Sequence, residues 1–265
     1  MQKNQAIGIF DSGIGGLTVA KSLSDELPNE QFIYFGDTAH MPYGDKSPQE
    51  IIEYSKKIVE FLISKNVKLI VIACNSASSV AASALRAQYW KQVEIIGVIR
   101  PVIKRCIEKQ LKKIGIIATK ATVESRIYLD IIKEYNADIE VYQKATPLLA
   151  PMIESGQQGS ETFNHVLEDY LKDEQFIDKE AIILACTHYP IIKQEIDDFF
   201  NHKKTILDNA KPLANEIKKY LSEKNLLADI KTKPNEFYVS RYTEVFQQTT
   251  KTFYNHSIQI IEKII

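Results

Sequence analysis

Ala181-Ile182-Ile183-Leu184-Ala185-Cys186 is a strand-like apolar run that ends in a thiol and is followed by the polar pair Thr187-His188. An earlier run, Leu69-Ile70-Val71-Ile72-Ala73-Cys74, ends the same way and is followed by Asn75-Ser76. In α/β proteins ligands sit at the carboxyl ends of parallel strands, so both thiols stand where chemistry is done. If the two runs belong to similar lobes that face each other, one ligand is flanked by both sulfurs.

The rest of the chain repeats in the same order. Ile7-Gly8-Ile9-Phe10 corresponds to Ile114-Gly115-Ile116-Ile117, and Phe32-Ile33-Tyr34-Phe35 falls near Ile139-Glu140-Val141-Tyr142 at the same offset. The simpler alternative is that any alternating α/β chain resembles itself loosely, since apolar runs are common. Three strands matching in order favour internal pseudo-symmetry.

Strand patterns at 6–10, 31–35, 68–73, 93–98, 114–118, 138–142, 181–185, 204–207 and 236–239 alternate with helical ones. One such helical stripe holds Ile51, Ile52, Ile58, Val59 and Leu62. Alternation of this kind predicts an α/β fold: two pseudo-symmetric, doubly wound parallel-sheet domains facing each other across a cleft. The repeat puts residues 1–97 in the first lobe and 98–207 in the second. The tail 208–265, with Phe237-Tyr238-Val239, is expected to return to the first.

Composition narrows the function. The chain carries 33 Lys and Arg against 34 Asp and Glu, a net charge of −1 that gives no field for nucleic acid. No signal peptide fits the N-terminus and no apolar run approaches the roughly 20 residues needed to cross a bilayer, so no membrane partner and a cytoplasmic location are expected. In that reducing compartment the three cysteines read as reactive thiols, metal ligands or inert core residues rather than disulfides.

The loop Asp11-Ser12-Gly13-Ile14-Gly15-Gly16 follows the first strand and opens a helix. Free N–H groups at such a turn attract a phosphate or carboxylate. A dinucleotide is disfavoured: its fingerprint needs glycine where Thr18 stands, and Asp11 repels pyrophosphate. A small carboxylate ligand suits the loop better, although the glycines would also serve a plain tight turn and Asp11 and Ser12 could simply be helix caps.

Taken together, DSGIGG at 11–16, GDTAHMPYG at 36–44, ACNSAS at 73–78, ATKAT at 118–122 and ACTHYP at 185–190 resemble bacterial glutamate racemase, within the cofactor-independent aspartate/glutamate racemase superfamily. The likeness runs from about residue 6 to the C-terminus. It implies interconversion of L- and D-glutamate, the latter feeding peptidoglycan synthesis, with no pyridoxal phosphate or metal and in a homodimer.

The residues suit that chemistry on their own terms. Inverting a stereocentre by proton transfer is simplest with a base on each face of the carbon, and a thiol serves if its pKa is lowered or a neighbour takes its proton. By resemblance, Asp11 assists Cys74 and His188 assists Cys186. By resemblance too, the substrate is held by Ser12, Pro42, Tyr43, Gly44, Asn75, Ser76 and Thr187, with Thr119 and Thr122 on the opposite wall. Such neutral donors suit a zwitterion, while Asp11 favours its ammonium. Asp37 and Glu154 also match family positions tied to activity, and equally suit structural acids near a cleft.

Three positions depart from the family pattern: Ser76 for threonine, His40 for arginine, and Arg100 where a small residue, proline or glutamate is commoner. Arg100 reads either as a cleft-mouth residue or as a solvated charge. Cys106 has no acid-base partner nearby and reads as an inert packed thiol. Three rival readings stand beside the racemase: a metal site of Cys74, Cys186 and His188 that lacks CxxC-type pairing, a non-catalytic amino-acid-binding module, and a racemase of aspartate or another small acid.

Overall fold

A computed structural model describes residues 2–255 and 257–265, with Val245 described by its backbone alone. Its strands are β1 (Ile7–Asp11), β2 (Phe32–Gly36), β3 (Leu69–Ile72), β4 (Glu94–Gly97), β5 (Lys113–Ala118), β6 (Glu140–Ala145), β7 (Ala181–Ala185), β8 (Thr205–Asp208), β9 (Glu236–Val239) and β10 (Ile260–Glu262). The α-helices are α1 (Leu17–Glu26), α2 (Pro48–Ser64), α3 (Asn75–Val80), α4 (Ala82–Tyr89), α5 (Ile99–Glu108) and α6 (Lys120–Glu124). They continue with α7 (Ile127–Tyr135), α8 (Leu149–Glu154), α9 (Glu161–Leu171), α10 (Lys193–Phe199), α11 (Ala210–Glu223) and α12 (Glu244–Tyr254).

Among the described residues the strands form two sheets, ordered β10-β9-β2-β1-β3-β4 and β6-β5-β7-β8, and every pairing is parallel. The inner order of the first, β2-β1-β3-β4, is the order of the second. The fold is therefore two pseudo-symmetric, doubly wound α/β units. In each, the chain reverses its winding beside the first strand of the unit, between β1 and β3 in one and between β5 and β7 in the other. Crevices of this kind open at the carboxyl ends of the strands.

The elements follow from local chemistry. In α2, Ser47 and Glu50 form a reciprocal capping box, Pro48 takes the first helical position, and Ile51, Ser55, Ile58, Val59 and Leu62 are the buried stripe. Burying each of its large aliphatic side chains stabilises the fold by about 1.5–3 kcal/mol. Strands β1, β2, β3 and β7 are buried along their whole length, which explains their continuous apolar runs.

Two details differ from the sequence-based expectation. The strand expected at 138–142 begins only at Glu140, because Asn136 Oδ1 accepts the Asp138 N–H and holds the chain in a turn. Beyond β9, which pairs with β2, the chain adds an unexpected edge strand, β10. We propose the lobe division 1–97 with 208–265 against 98–207.

Candidate active site

The two reversal crevices face each other across one small cavity. Its walls hold Ser12 and Cys74-Asn75-Ser76 from the ends of β1 and β3, Thr119 and Cys186-Thr187-His188 from the ends of β5 and β7, together with Pro42, Tyr43, Gly44 and Ala150. Cys74 and Cys186 are both free thiols and both buried. The cavity is tight, about 30 Å³.

Close approach of the lobes depends on glycine at two points. A Cβ on Gly15 would stand 2.6 Å from His188 Nδ1 and Thr187 Oγ1, and one on Gly44 would stand 2.9 Å from Thr119 Cβ. The glycine loop thus has a packing role that a plain tight turn does not need.

Cys74 is the N-cap of α3, its sulfur accepting the Ala77 N–H at 3.4 Å, and it lies 3.5 Å from Ser12 Oγ. Burial, reinforced by the negative charge of Asp11, pushes its thiol up to about 12, against the pull of those two contacts. Asp11 itself lies just behind the cavity and is fully buried. Its Oδ2 accepts the Gly13 N–H at 3.0 Å and its Oδ1 accepts from Thr187 Oγ1 at 3.3 Å, a bond that crosses between the lobes. Burial raises its carboxyl above the ordinary range, outweighing the positive charge of His188 and the Gly13 and Gly16 N–H groups.

On the other wall, Cys186 Sγ is 3.7 Å from His188 Nδ1. His188 Nε2 faces Glu154 Oε1 at 3.7 Å, within ion-pair range and too long for a hydrogen bond, and its ring meets Phe253 edge-on with centroids 5.5 Å apart. Burial is the largest single influence on the imidazole and opposes its charge. Cys186 and Glu154 together outweigh it and hold the imidazolium well above the usual histidine range.

The remaining expected residues separate by position. Ser76 Oγ and Thr119 Oγ1 meet at 2.8 Å across the cavity wall, whereas Thr122 is fully buried behind Thr119 and serves its helix cap. Asp37 lies outside the cavity and supports its wall, accepting from Tyr43 Oη at 2.6 Å and Ser240 Oγ at 2.7 Å and lying 2.8 Å from His40 Nδ1. His40 stacks on Tyr54. Arg100 pairs with Glu134 at 2.8 Å and takes no part in the cavity. Cys106 is buried in the core.

Sequence reasoning missed Ala150 in the wall, Phe253 against His188, and Tyr128 and Asn209 behind Asn75. Only Asn209 carried a signal, since it directly follows β8 and so sits at a strand's carboxyl end. Among the described residues no three His, Cys, Asp or Glu side chains stand together as a metal site requires, and no helix is long and apolar enough to cross a membrane. A wider cleft of about 610 Å³ runs along α5 and α11, but its Lys104 and Lys193 are paired with Glu216 and Asp208.

Comparison with known proteins gives a consistent result. The Asp/Glu/Hydantoin racemase family matches residues 16–217. Glutamate racemase 3 of Caldanaerobacter subterraneus subsp. tengcongensis is 38% identical over 263 residues, covering 97% of this chain and 95% of that protein. The glutamate racemase of Clostridium perfringens is 40% identical over 236 residues, covering 88% and 89%. The crystal structure of glutamate racemase from Francisella tularensis in complex with D-glutamate superimposes with a TM-score of 0.92 at 35% identity, covering 99% of this chain and 98% of that one.

Proposed function

The chain belongs to the Asp/Glu/hydantoin racemase family and is a racemase, and from that premise we propose that it interconverts L- and D-glutamate by two-base proton transfer between Cys186, Cys74 and the substrate Cα. The observation that carries this reading is that both buried thiols line one cavity, each at the carboxyl end of the equivalent strand of its lobe.

The two walls suit opposite halves of the reaction. An imidazolium 3.7 Å from Cys186 Sγ stabilises negative charge on that sulfur, while the high pKa of Cys74 keeps it a proton donor. In the L-to-D direction the Cys186 thiolate removes the α-proton and becomes a thiol. Cys74 then gives its proton to the opposite face and becomes the thiolate. In the reverse direction the roles exchange, and the substrate ammonium near Asp11 and Cys74 lowers the cost of charging Cys74. Asn75, Ser76, Thr119 and Thr187 supply neutral donors for the carboxylates.

The reading extends to supply of D-glutamate for peptidoglycan synthesis by a cytoplasmic homodimer, which rests on the family resemblance. The direct test is circular dichroism of L-glutamate and, separately, D-glutamate incubated with the purified protein. Both signals should decay to zero. A signal that holds with glutamate while another acidic amino acid racemises would overturn the substrate assignment.

A further inference from the structure

Asn75 meets the cavity wall with an amide whose two ends are treated differently. Its Oδ1 accepts from Tyr128 Oη at 2.8 Å and from Asn209 Nδ2 at 2.6 Å, and Asn209 Nδ2 also lies 3.3 Å from the tyrosine oxygen. Its Nδ2 is buried and has no partner within the protein. Burial holds the Tyr128 phenol up in its protonated, donating form. A buried amide N–H₂ without an acceptor is costly unless something else supplies one.

Asn75 begins α3 immediately after Cys74, in the first lobe, whereas Tyr128 is on α7 of the second, and Asn209 directly follows β8, where the chain passes back from the second lobe to the first. The Tyr128–Asn75 bond therefore joins the two lobes. We propose that Tyr128 and Asn209 are positioning residues that fix the Asn75 amide with its N–H₂ toward the cavity, so that the wall presents a donor to a substrate carboxylate. Reversing both amides would also satisfy the triangle, but it would turn the Asn75 carbonyl toward the anion. The inference rests on the acidic substrate proposed above.

Asn209→Asp tests it, because a carboxylate only accepts and would draw the Asn75 N–H₂ to itself, leaving the carbonyl facing the substrate. Losing a hydrogen bond to a charged group is worth roughly 10- to 100-fold. The expected result is a KM for glutamate raised by about that factor with a much smaller change in kcat, and recovery toward the parent KM as the pH is lowered and the new acid becomes a donor. A merely structural role would show no such recovery. An unchanged KM, or a loss independent of pH, in a variant that folds overturns the inference. If Asn209→Asp does not fold, Tyr128→Phe decides, with a several-fold rise in KM supporting the inference and an unchanged KM overturning it. A parent protein inactive on glutamate would instead refute the substrate reading.

Discussion

Gly15 and His188 pack backbone against ring: a Cβ on Gly15 would lie 2.6 Å from both Cε1 and Nδ1 of the imidazole. Real Cβ atoms do not approach that closely, so a side chain there must push the histidine or the lobes apart. Gly15→Ala should lower kcat by about 100-fold, the scale of a misplacement near 1 Å, while the overpacking costs ~1–3 kcal/mol of stability. Steady-state kinetics beside thermal melting would check this, and near-normal kcat would show that the contact is not needed.

The two sulfurs should be individually indispensable. Cys74→Ser and Cys186→Ser replace a thiol by a far poorer base at neutral pH, and both should abolish racemisation. Cys74 is assigned to D-glutamate and Cys186 to L-glutamate, so analogues with a good β-leaving group should still react from one enantiomer only in each variant. Chiral chromatography of the residual analogue reads this out.

The assisting groups should act by direction. Asp11→Asn keeps size and removes charge, His188→Asn removes the imidazole with its charge, and each should reduce kcat by about 10²- to 10⁴-fold, most in the direction in which its own cysteine is the base. Asp11 also serves the turn through Gly13. If kinetics in both directions stayed within about threefold while melting fell by the ~1 kcal/mol of a lost cap, only a structural role would remain.

Alkaline pH should unfold the protein through its buried thiols. Cys74 and Cys106 are each held up to about 12, mainly by burial, while an unfolded cysteine titrates near 8.5. Below that value both states keep their protons and stability is unaffected. As pH climbs from about 9 toward 12 the unfolded chain releases protons that the folded chain retains, so stability falls, by roughly 1.4 kcal/mol per unit for each fully buried thiol. Cys106→Ala should flatten the decline in melting temperature over that range and leave racemisation intact.

Much of this was legible in the chain because it depends on local pattern. Runs such as Leu69–Ile72 and Ala181–Ala185 are apolar throughout because parallel strands are covered on both faces, and the position of each cysteine just after its run fixes it at a strand's carboxyl end. What escaped depends on distant parts of the chain coming together. Tyr128, Asn209 and Phe253 meet Asn75 or His188 only through the fold, and periodicity around them marks a helix face or a strand end and nothing more. Thr122 and Asp37 show the converse: resemblance suggested the opposite wall for Thr122 and a position tied to activity or a structural acid near the cleft for Asp37, and packing puts both one layer behind the cavity.

Two thiols working on opposite faces of one carbon leave their mark on the fate of the α-hydrogen. With L-glutamate in deuterated water, sampled at early turnover and analysed by chiral separation and mass spectrometry, the D-glutamate formed should carry solvent deuterium at Cα. The remaining L-glutamate should stay protiated, because the proton taken by Cys186 is not the one Cys74 delivers. Deuterium appearing in the L-glutamate pool as fast as in the product, or D-glutamate that keeps the original proton, would mean that a single base serves both faces and would contradict the account.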